Sequence, residues 1–197
     1  VTSMTHPLIA LIDIGKTNAK VSVIDPQTGS EIRGRRRANT VVQGPAMREL
    51  DVDAINQWLL DALRDAPHRD RVRTIVPVAH GAAAVLIDRD SRMIAAPDYE
   101  DACFERVNAE YRQQRDAYQS TYSPDLPLGL NLGRQLFFLQ EAQPQLFSRV
   151  AHALLYPQFW AWRLSGVMAS EVTSLGCHSD LWLPREQHFS KLAHARG

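Results

Sequence analysis

The chain has 197 residues, 45% of them hydrophobic, which is long and apolar enough to bury a sizeable core. Lys and Arg together number 22, as do Asp and Glu, so the formal net charge is zero and no global field attracts nucleic acid or an anionic membrane. The two cysteines are too few for a disulfide framework and lack the paired spacing of a zinc site. No apolar run approaches the roughly 20 residues of a membrane-spanning helix, so we expect a cytoplasmic protein without nucleic-acid or membrane partners.

Five predicted strands and one helical pattern occupy the first half of the sequence. The strands are predicted at residues 8–14, 19–25, 31–42, 72–79 and 82–88. Between the third and fourth strands, apolar residues recur at helical spacing from Val52 to Leu63, with Asp51 or Asp53 near the start and Pro67 beyond the end. This pattern predicts a helix between two groups of strands.

The second half is predicted to be helical and irregular. The charged segment at residues 101–119 is predicted to be helix, and residues 120–133, with two prolines and two glycines, are predicted to be a loop. A short strand at residues 151–155 then precedes a helix at residues 158–164, which ends at Gly166. No internal repeat, low-complexity tract or linker divides the sequence.

The order of these elements indicates the fold class. A strand hairpin, a third strand and then alternating helix and strand are typical of the ribonuclease-H-like half of an actin/hexokinase-type nucleotide-binding fold. We therefore expect an α/β fold with a mixed central sheet flanked by helices. The order alone is shared with other mixed α/β domains, so it does not define the function.

The turn between the first two strands carries the strongest chemical signal, in the segment Asp13-Ile-Gly-Lys-Thr-Asn-Ala-Lys20. Glycine lets the backbone approach a ligand or take a positive φ, and the neighbouring donors can face phosphate oxygens. The candidate phosphate-binding residues are Gly15, Lys16, Thr17, Asn18 and Lys20. Since Asp13 would repel phosphate, its presence implies a bridging Mg²⁺ that it holds through water. The alternative is an ordinary polar hairpin turn, in which Asp and Asn are common.

Three ordered segments resemble the FGGY family of carbohydrate kinases. The turn at Asp13 is similar to the family's first phosphate motif, commonly Asp-x-Gly-Thr-Thr, from which Lys16 departs. The residues from Val78 to Asp101 are similar to the segment with which relatives bind sugar hydroxyls, although the family's Trp-x-Asp-x-Arg pattern lacks its Trp and its Arg here. Residues 154–182 are similar to the family's Pro-x-Asp-Tyr-x-x-x-x-Leu-Thr-Gly helix and to the Glu/Asp-x-Thr-x-Ala-Ser strand after it.

The resemblance implies a set of substrate-binding residues. These are His80, Gly81, Asp98, Tyr99, Glu100, Gln135 and Thr173. Tyr99 is expected to stack on a sugar face, with Asp98 or Glu100 as hydroxyl acceptors. For two of these residues a structural role is the alternative to substrate binding. His80 could be a histidine at a strand end with hydrogen-bond partners inside the protein, and the Thr173 hydroxyl could form a hydrogen bond with the backbone.

The resemblance also implies an activity, transfer of the γ-phosphoryl group of ATP to a hydroxyl of a sugar or ketose, with Mg²⁺. In relatives the catalytic base is an Asp in a later Gly-x-x-Asp segment, followed by a C-terminal ATP-binding domain. Residues 1–197 are therefore expected to be an incomplete N-terminal domain without activity of its own. The alternatives are a non-catalytic actin-like binding or assembly protein and an ATPase or phosphatase of the same superfold. The sequence identifies neither the sugar nor the oligomeric state, so a homo-oligomer stays possible.

Overall fold

A computed structural model describes residues 6–197 as two compact units that are interleaved along the chain. The first unit contains the described residues up to Thr40 together with Asp51–His80. The second unit contains Val41–Leu50 and Gly81–Gly197. Residues 41–50 belong to the second unit, although the residues before and after them belong to the first. Neither unit is therefore a single continuous stretch of sequence.

The first unit is built on a mixed four-stranded sheet. Its strands are β1 (Leu8–Ile14), β2 (Asn18–Ile24), β3 (Glu31–Ala38) and β6 (Val72–Ala79). They lie in the order β3-β2-β1-β6, with β1 antiparallel to β2 and parallel to β6. The carboxyl ends of β1 and β6 therefore lie at the same edge of the sheet.

Helix α1 (Val52–Arg64) covers one face of this unit. Asp51 caps its first turn by accepting a hydrogen bond from the Ala54 amide, 3.1 Å away, as the sequence pattern predicts. Side chains at every third or fourth position of α1 are buried, and so is every second side chain of β1. Because side chains alternate along a strand, Asp13 lies on the face of β1 opposite to the buried side chains, where it is exposed.

The second unit contains three smaller groups of strands. A hairpin pairs β4 (Val41–Gln43) with β5 (Arg48–Leu50). A three-stranded sheet has the order β8-β7-β9, from β7 (Ala84–Ile87), β8 (Met93–Ala95) and β9 (His152–Leu155). A short ribbon pairs β10 (Trp182–Leu183) with β11 (His188–Phe189).

Helices supply most of the second unit's core. They are α2 (Asn108–Gln114), α3 (Tyr118–Thr121), α4 (Leu132–Ala142), α5 (Pro144–Phe147), α6 (Tyr156–Ser165), α7 (Val172–Leu175) and α8 (Lys191–Arg196). Phe104, Phe138 and Tyr111 are fully buried, and the Phe104 and Phe138 rings meet edge to face with centroids 5.3 Å apart. Gly166 ends α6 in the left-handed conformation with φ of 77°, which confirms the predicted cap.

Two predicted elements are corrected. The third strand ends at Ala38, and residues 41–43 form β4 of the second unit instead of continuing it. The predicted helix at residues 101–119 is broken into a 3₁₀ turn, Ala102–Val107, and the short helices α2 and α3. The backbone leaves α2 at Arg115, which has an extended ψ of 147° and pairs with buried Asp180 at 2.7 Å, so tertiary contacts override local helix propensity here.

The mixed α/β fold with a mixed central sheet and flanking helices is confirmed. Among residues 6–197, no helix has the length and apolar character needed to cross a membrane.

Candidate functional site

The proposed phosphate turn is a tight connection between β1 and β2 in the first unit. The Gly15 amide donates to the Asn18 carbonyl at 2.8 Å, and the Asn39 side chain donates to the Gly15 carbonyl at 2.8 Å. A Cβ at Gly15 would lie 3.3 Å from the Asn18 carbonyl oxygen. Positive-φ glycines in the described chain are found elsewhere, so close backbone approach within the hairpin accounts for this glycine.

Exposed polar groups surround this turn. Asp13 is exposed at the end of β1, and within residues 6–197 its carboxylate makes no hydrogen bond or ion pair. Thr17 and Asn18 are also exposed, and the Asn18 side chain donates to the Thr17 hydroxyl at 3.1 Å. Lys16 is partly buried in the turn. The turn therefore presents one carboxylate and several donors to solvent.

Lys20 lies opposite Asp13 in the antiparallel pair, so both side chains are on the same face of the sheet. Its ammonium group is 2.5 Å from Glu31 Oε2 on β3, and the Ser22 hydroxyl donates to the same oxygen. The hydrogen bond from Lys20 and the one from Ser22 lower the pKa of Glu31. Lys20 is thus tied to a carboxylate of its own sheet.

His80 is brought to the same sheet edge as this turn. It follows β6 directly, and its amide donates to the Ile14 carbonyl at 3.0 Å. Because Ile14 precedes Gly15, the backbone of His80 lies beside the start of the phosphate turn. Asp13, the turn and His80 therefore converge within the first unit, as parallel strands that end together require.

The predicted acidic segment, residues 96–101, lies in the second unit and is held by the β4–β5 hairpin. The Leu50 amide donates to the Ala96 carbonyl at 2.8 Å, and the Asp98 amide donates to the Arg48 carbonyl at 2.9 Å. Glu49 accepts a hydrogen bond from the Ala96 amide at 3.1 Å, and burial raises the pKa of its carboxyl group. The segment thus pairs with β5 much as an added strand would.

The three predicted sugar-binding residues of this segment differ in accessibility. Asp98 is 1% exposed and Tyr99 is 8% exposed, whereas Glu100 is exposed. Asp98 Oδ2 lies 3.1 Å from Arg48 Nη2, and Asp98 Oδ1 accepts from the Glu100 amide at 3.2 Å. Burial, followed by the charges of Glu100 and Asp98, raises the pKa of Tyr99, which remains a neutral phenol at physiological pH. Glu100 is therefore the acid of this segment that solvent reaches most easily.

Gln135, at the start of α4, connects two loops of the second unit. Its side chain is 1% exposed, and its amide nitrogen donates to the carbonyls of Ala82 and Gly129, both at 2.5 Å. Ala82 has a φ of 60°, which is rare for a residue with a Cβ, and it follows exposed Gly81. The Gly129 amide in turn donates to the Tyr99 carbonyl at 2.8 Å. Gln135 thus holds the backbone next to Gly81 and Tyr99.

Thr173 is exposed near the start of α7, and its side chain contacts Glu171. The Thr173 hydroxyl donates to Glu171 Oε2 at 2.6 Å, while the amides of Thr173 and Ser174 also donate to this carboxylate. These bonds, first among them the one from the hydroxyl, lower the pKa of Glu171 to about 2. The strand expected here is a helical turn capped by Glu171, because a carboxylate that accepts two backbone amides stabilises a helix start.

The sequence did not identify Arg48 and Glu49, which hold the acidic segment from more than 40 positions away. No predicted element covers residues 43–50, so no local signal marked these two residues. Burial and the charge of Asp101 raise the pKa of the Cys103 thiol, beside the segment, to about 12, which favours its protonated form.

The expected Mg²⁺ ligand, Asp13, belongs to the first unit. Among residues 6–197 there is no cluster of three or more His, Cys, Asp and Glu side chains that could hold a metal ion. One carboxylate plus nucleotide phosphates and waters is the coordination that Mg²⁺ prefers. A cavity of about 400 Å³ in the second unit is apolar, and none of the predicted site residues lines it.

No family model matches the chain. Among solved structures, a carbohydrate kinase from Novosphingobium aromaticivorans is similar over 96% of this chain, with 42% identity and a TM-score of 0.87. A ligand-bound xylulose kinase from Lactobacillus acidophilus and a Plasmodium falciparum glycerol kinase with ADP are 15% and 13% identical, both with a TM-score of 0.78 over 96% of this chain. These two likenesses concern the fold. This chain spans 40% of the length of each of these three structures.

Proposed function

We propose, from the match of this chain to the N-terminal portion of FGGY-type carbohydrate kinases, that the whole protein transfers the γ-phosphoryl group of ATP to a sugar or ketose hydroxyl. One observation within the chain supports this most. The His80 amide donates to the Ile14 carbonyl at 3.0 Å, so the start of the second resembling segment lies beside the phosphate turn within the first unit. Phosphoryl transfer depends mainly on such positioning and on neutralisation of phosphate charge.

We assign the turn residues to the nucleotide phosphates. Thr17 and Asn18 are exposed donors, with Gly15, Lys16 and Lys20 as the other members of the proposed set. The exposed carboxylate of Asp13 would hold Mg²⁺ through water. When bound, Mg²⁺ neutralises phosphate charge that develops in the transition state.

We assign the sugar to His80, Gly81 and the acidic segment. Glu100 is the accessible hydroxyl acceptor of that segment, while Tyr99 and Asp98 are mostly buried in the second unit. Gln135 supports the backbone beside Gly81 and Tyr99, and Thr173 is an exposed candidate near the start of α7. A catalytic base and an adenine-binding domain would come from the remaining length that the kinase relatives have.

Glu100→Gln is expected to raise the KM for the sugar by roughly 10- to 100-fold, since a hydrogen bond to a charged group contributes about 1.5–3 kcal/mol and each 1.4 kcal/mol is about tenfold. The KM for ATP should stay unchanged, because the residue is assigned to the substrate. Steady-state kinetics on the full-length protein measure both constants. Glu110→Gln, an exposed residue of α2, is the matched control. An effect confined to the KM for ATP would contradict the assignment.

A panel of ketoses and polyols tests the proposed activity itself. ATP consumption by the full-length protein is measured with each compound, and one class of sugar should raise it in a saturable way. ATP hydrolysis that no sugar changes would instead support an ATPase of the same fold.

A further inference from the structure

The acidic segment that is assigned to the sugar is held on one side by β5. β5 pairs with it through the Leu50–Ala96 and Asp98–Arg48 backbone hydrogen bonds, at 2.8 and 2.9 Å, and Glu49 accepts from the Ala96 amide at 3.1 Å. These contacts fix the start of the segment. Beyond Asp98, the path to Asp101 is held by the Asp101–Asp98 and Gly129–Tyr99 backbone hydrogen bonds, at 2.9 and 2.8 Å, and by side chains.

Arg48 holds both ends of that path. Its Nη2 lies 3.1 Å from Asp98 Oδ2 and donates to the Glu100 carbonyl at 2.9 Å. Its backbone amide donates to Asp101 Oδ2 at 2.6 Å, and its Nε is 4.0 Å from the same oxygen. The guanidinium therefore contacts the segment at Asp98 and at the Glu100 carbonyl, on either side of Tyr99, while the backbone amide of Arg48 holds Asp101. The rigid planar guanidinium suits such a multiple contact, which the single point charge of a lysine cannot reproduce.

The buried partner makes this contact more than an ordinary surface ion pair. Exposed ion pairs contribute little, because water screens them and both side chains must be ordered. Asp98 is 1% exposed, however, so its charge is removed from water and depends on its partners. Its other oxygen accepts from the Glu100 amide, so the ion pair and the turn at residues 98–100 form one connected network.

The geometry points to Arg48 as a positioning residue for the substrate segment. We propose that it orients Glu100 and Tyr99 toward the sugar by fixing the backbone on both sides of Tyr99, while Asp98 acts inside this network. The inference rests on the proposed function, because it assigns the segment to a sugar.

Three variants of the full-length protein test this role. Arg48→Gln removes the positive charge and the planar guanidinium. The KM for the sugar should then rise about tenfold or more, while the KM for ATP stays within about twofold. Arg48→Lys keeps a positive charge beside Asp98 but loses the second contact, so its sugar KM should be intermediate at an almost unchanged melting temperature. Arg92→Gln, which breaks an exposed pair with Asp90 in the same unit, is the control and should change neither constant.

Amide hydrogen exchange gives a readout that needs no activity. Peptides that cover residues 96–103 should exchange faster in Arg48→Gln than in the parent, and at the parent rate in Arg92→Gln. Unchanged exchange in Arg48→Gln overturns the positioning role, and so does an unchanged sugar KM in a parent with sugar-dependent turnover. Faster exchange in a protein that no sugar activates overturns the kinase proposal and the assignment of the segment to sugar with it.

Discussion

Asp13→Asn is expected to lower the kcat of the full-length protein by about 10³-fold or more. A neutral amide cannot serve as the anionic ligand for Mg²⁺, whose charge neutralisation is worth several kcal/mol in the transition state. The fold should remain intact, since Asp13 is exposed and its carboxylate has no partner within residues 6–197. The change should be seen in kcat with ATP and saturating sugar, at a normal melting temperature.

The matched control for this variant is Asp53→Asn, which removes an exposed carboxylate in the first turn of α1 of the same unit. It should leave kcat within about twofold, because a helix-terminal charge contributes only about 0.3–1 kcal/mol to stability and nothing to phosphate binding. Near-normal kcat in Asp13→Asn would remove the phosphate assignment of the turn.

Asp180→Asn is expected to destabilise the protein by about 3 kcal/mol, the lower end of the cost of breaking a buried ion pair. Asp180 is fully buried and accepts from the Tyr111 hydroxyl at 2.5 Å and from Arg115 Nη2 at 2.7 Å. The amide group of Asn would turn a donor toward one of these donors and leave the Arg115 guanidinium with only the more distant Asp125 carboxylate, 4.0 Å away, as a counter-charge. Asn also tolerates the left-handed backbone at this position, where φ is 62°, so the effect reports the side chain.

Thermal unfolding measures this loss, which corresponds to a fall in Tm of about 6–12 °C for a chain of this size. Asp90→Asn breaks an exposed pair with Arg92 and should shift Tm by less than about 2 °C. Equal shifts in the two variants would show that the Asp180 network contributes no more than a surface pair.

Much of the first unit is predictable from the sequence because its signals are local. The apolar run at residues 8–14 and the helical period after Asp51 coincide with β1 and α1, and the run at residues 72–79 coincides with β6. Each of these signals, namely strand length, alternation of apolar residues and a capping aspartate, is contained in a short stretch of sequence. The order of these elements was then sufficient for the fold class.

The second unit is less predictable because its contacts join distant residues. The sequence around Arg48 does not indicate that its guanidinium pairs with Asp98. Likewise, the sequence around Arg115 does not indicate that its ion pair with Asp180 ends the helix there. Thr173 lies in a helical turn because Glu171 caps it, a contact that the resemblance to a strand motif did not contain. Such side-chain networks depend on the tertiary structure, which local propensity does not encode.

A coupled assay of ADP release tests the central claim most directly, with the 197-residue chain and a polypeptide that carries the additional length of the kinase relatives assayed side by side. The longer polypeptide should release ADP in a manner that one class of sugar or ketose stimulates and saturates. The 197-residue chain should show no sugar-dependent release, because general-base assistance alone typically contributes about 10²–10⁴-fold and the second half of the nucleotide site is also required. Sugar-independent release by the longer polypeptide, or robust sugar-dependent turnover by the 197-residue chain, would contradict this account.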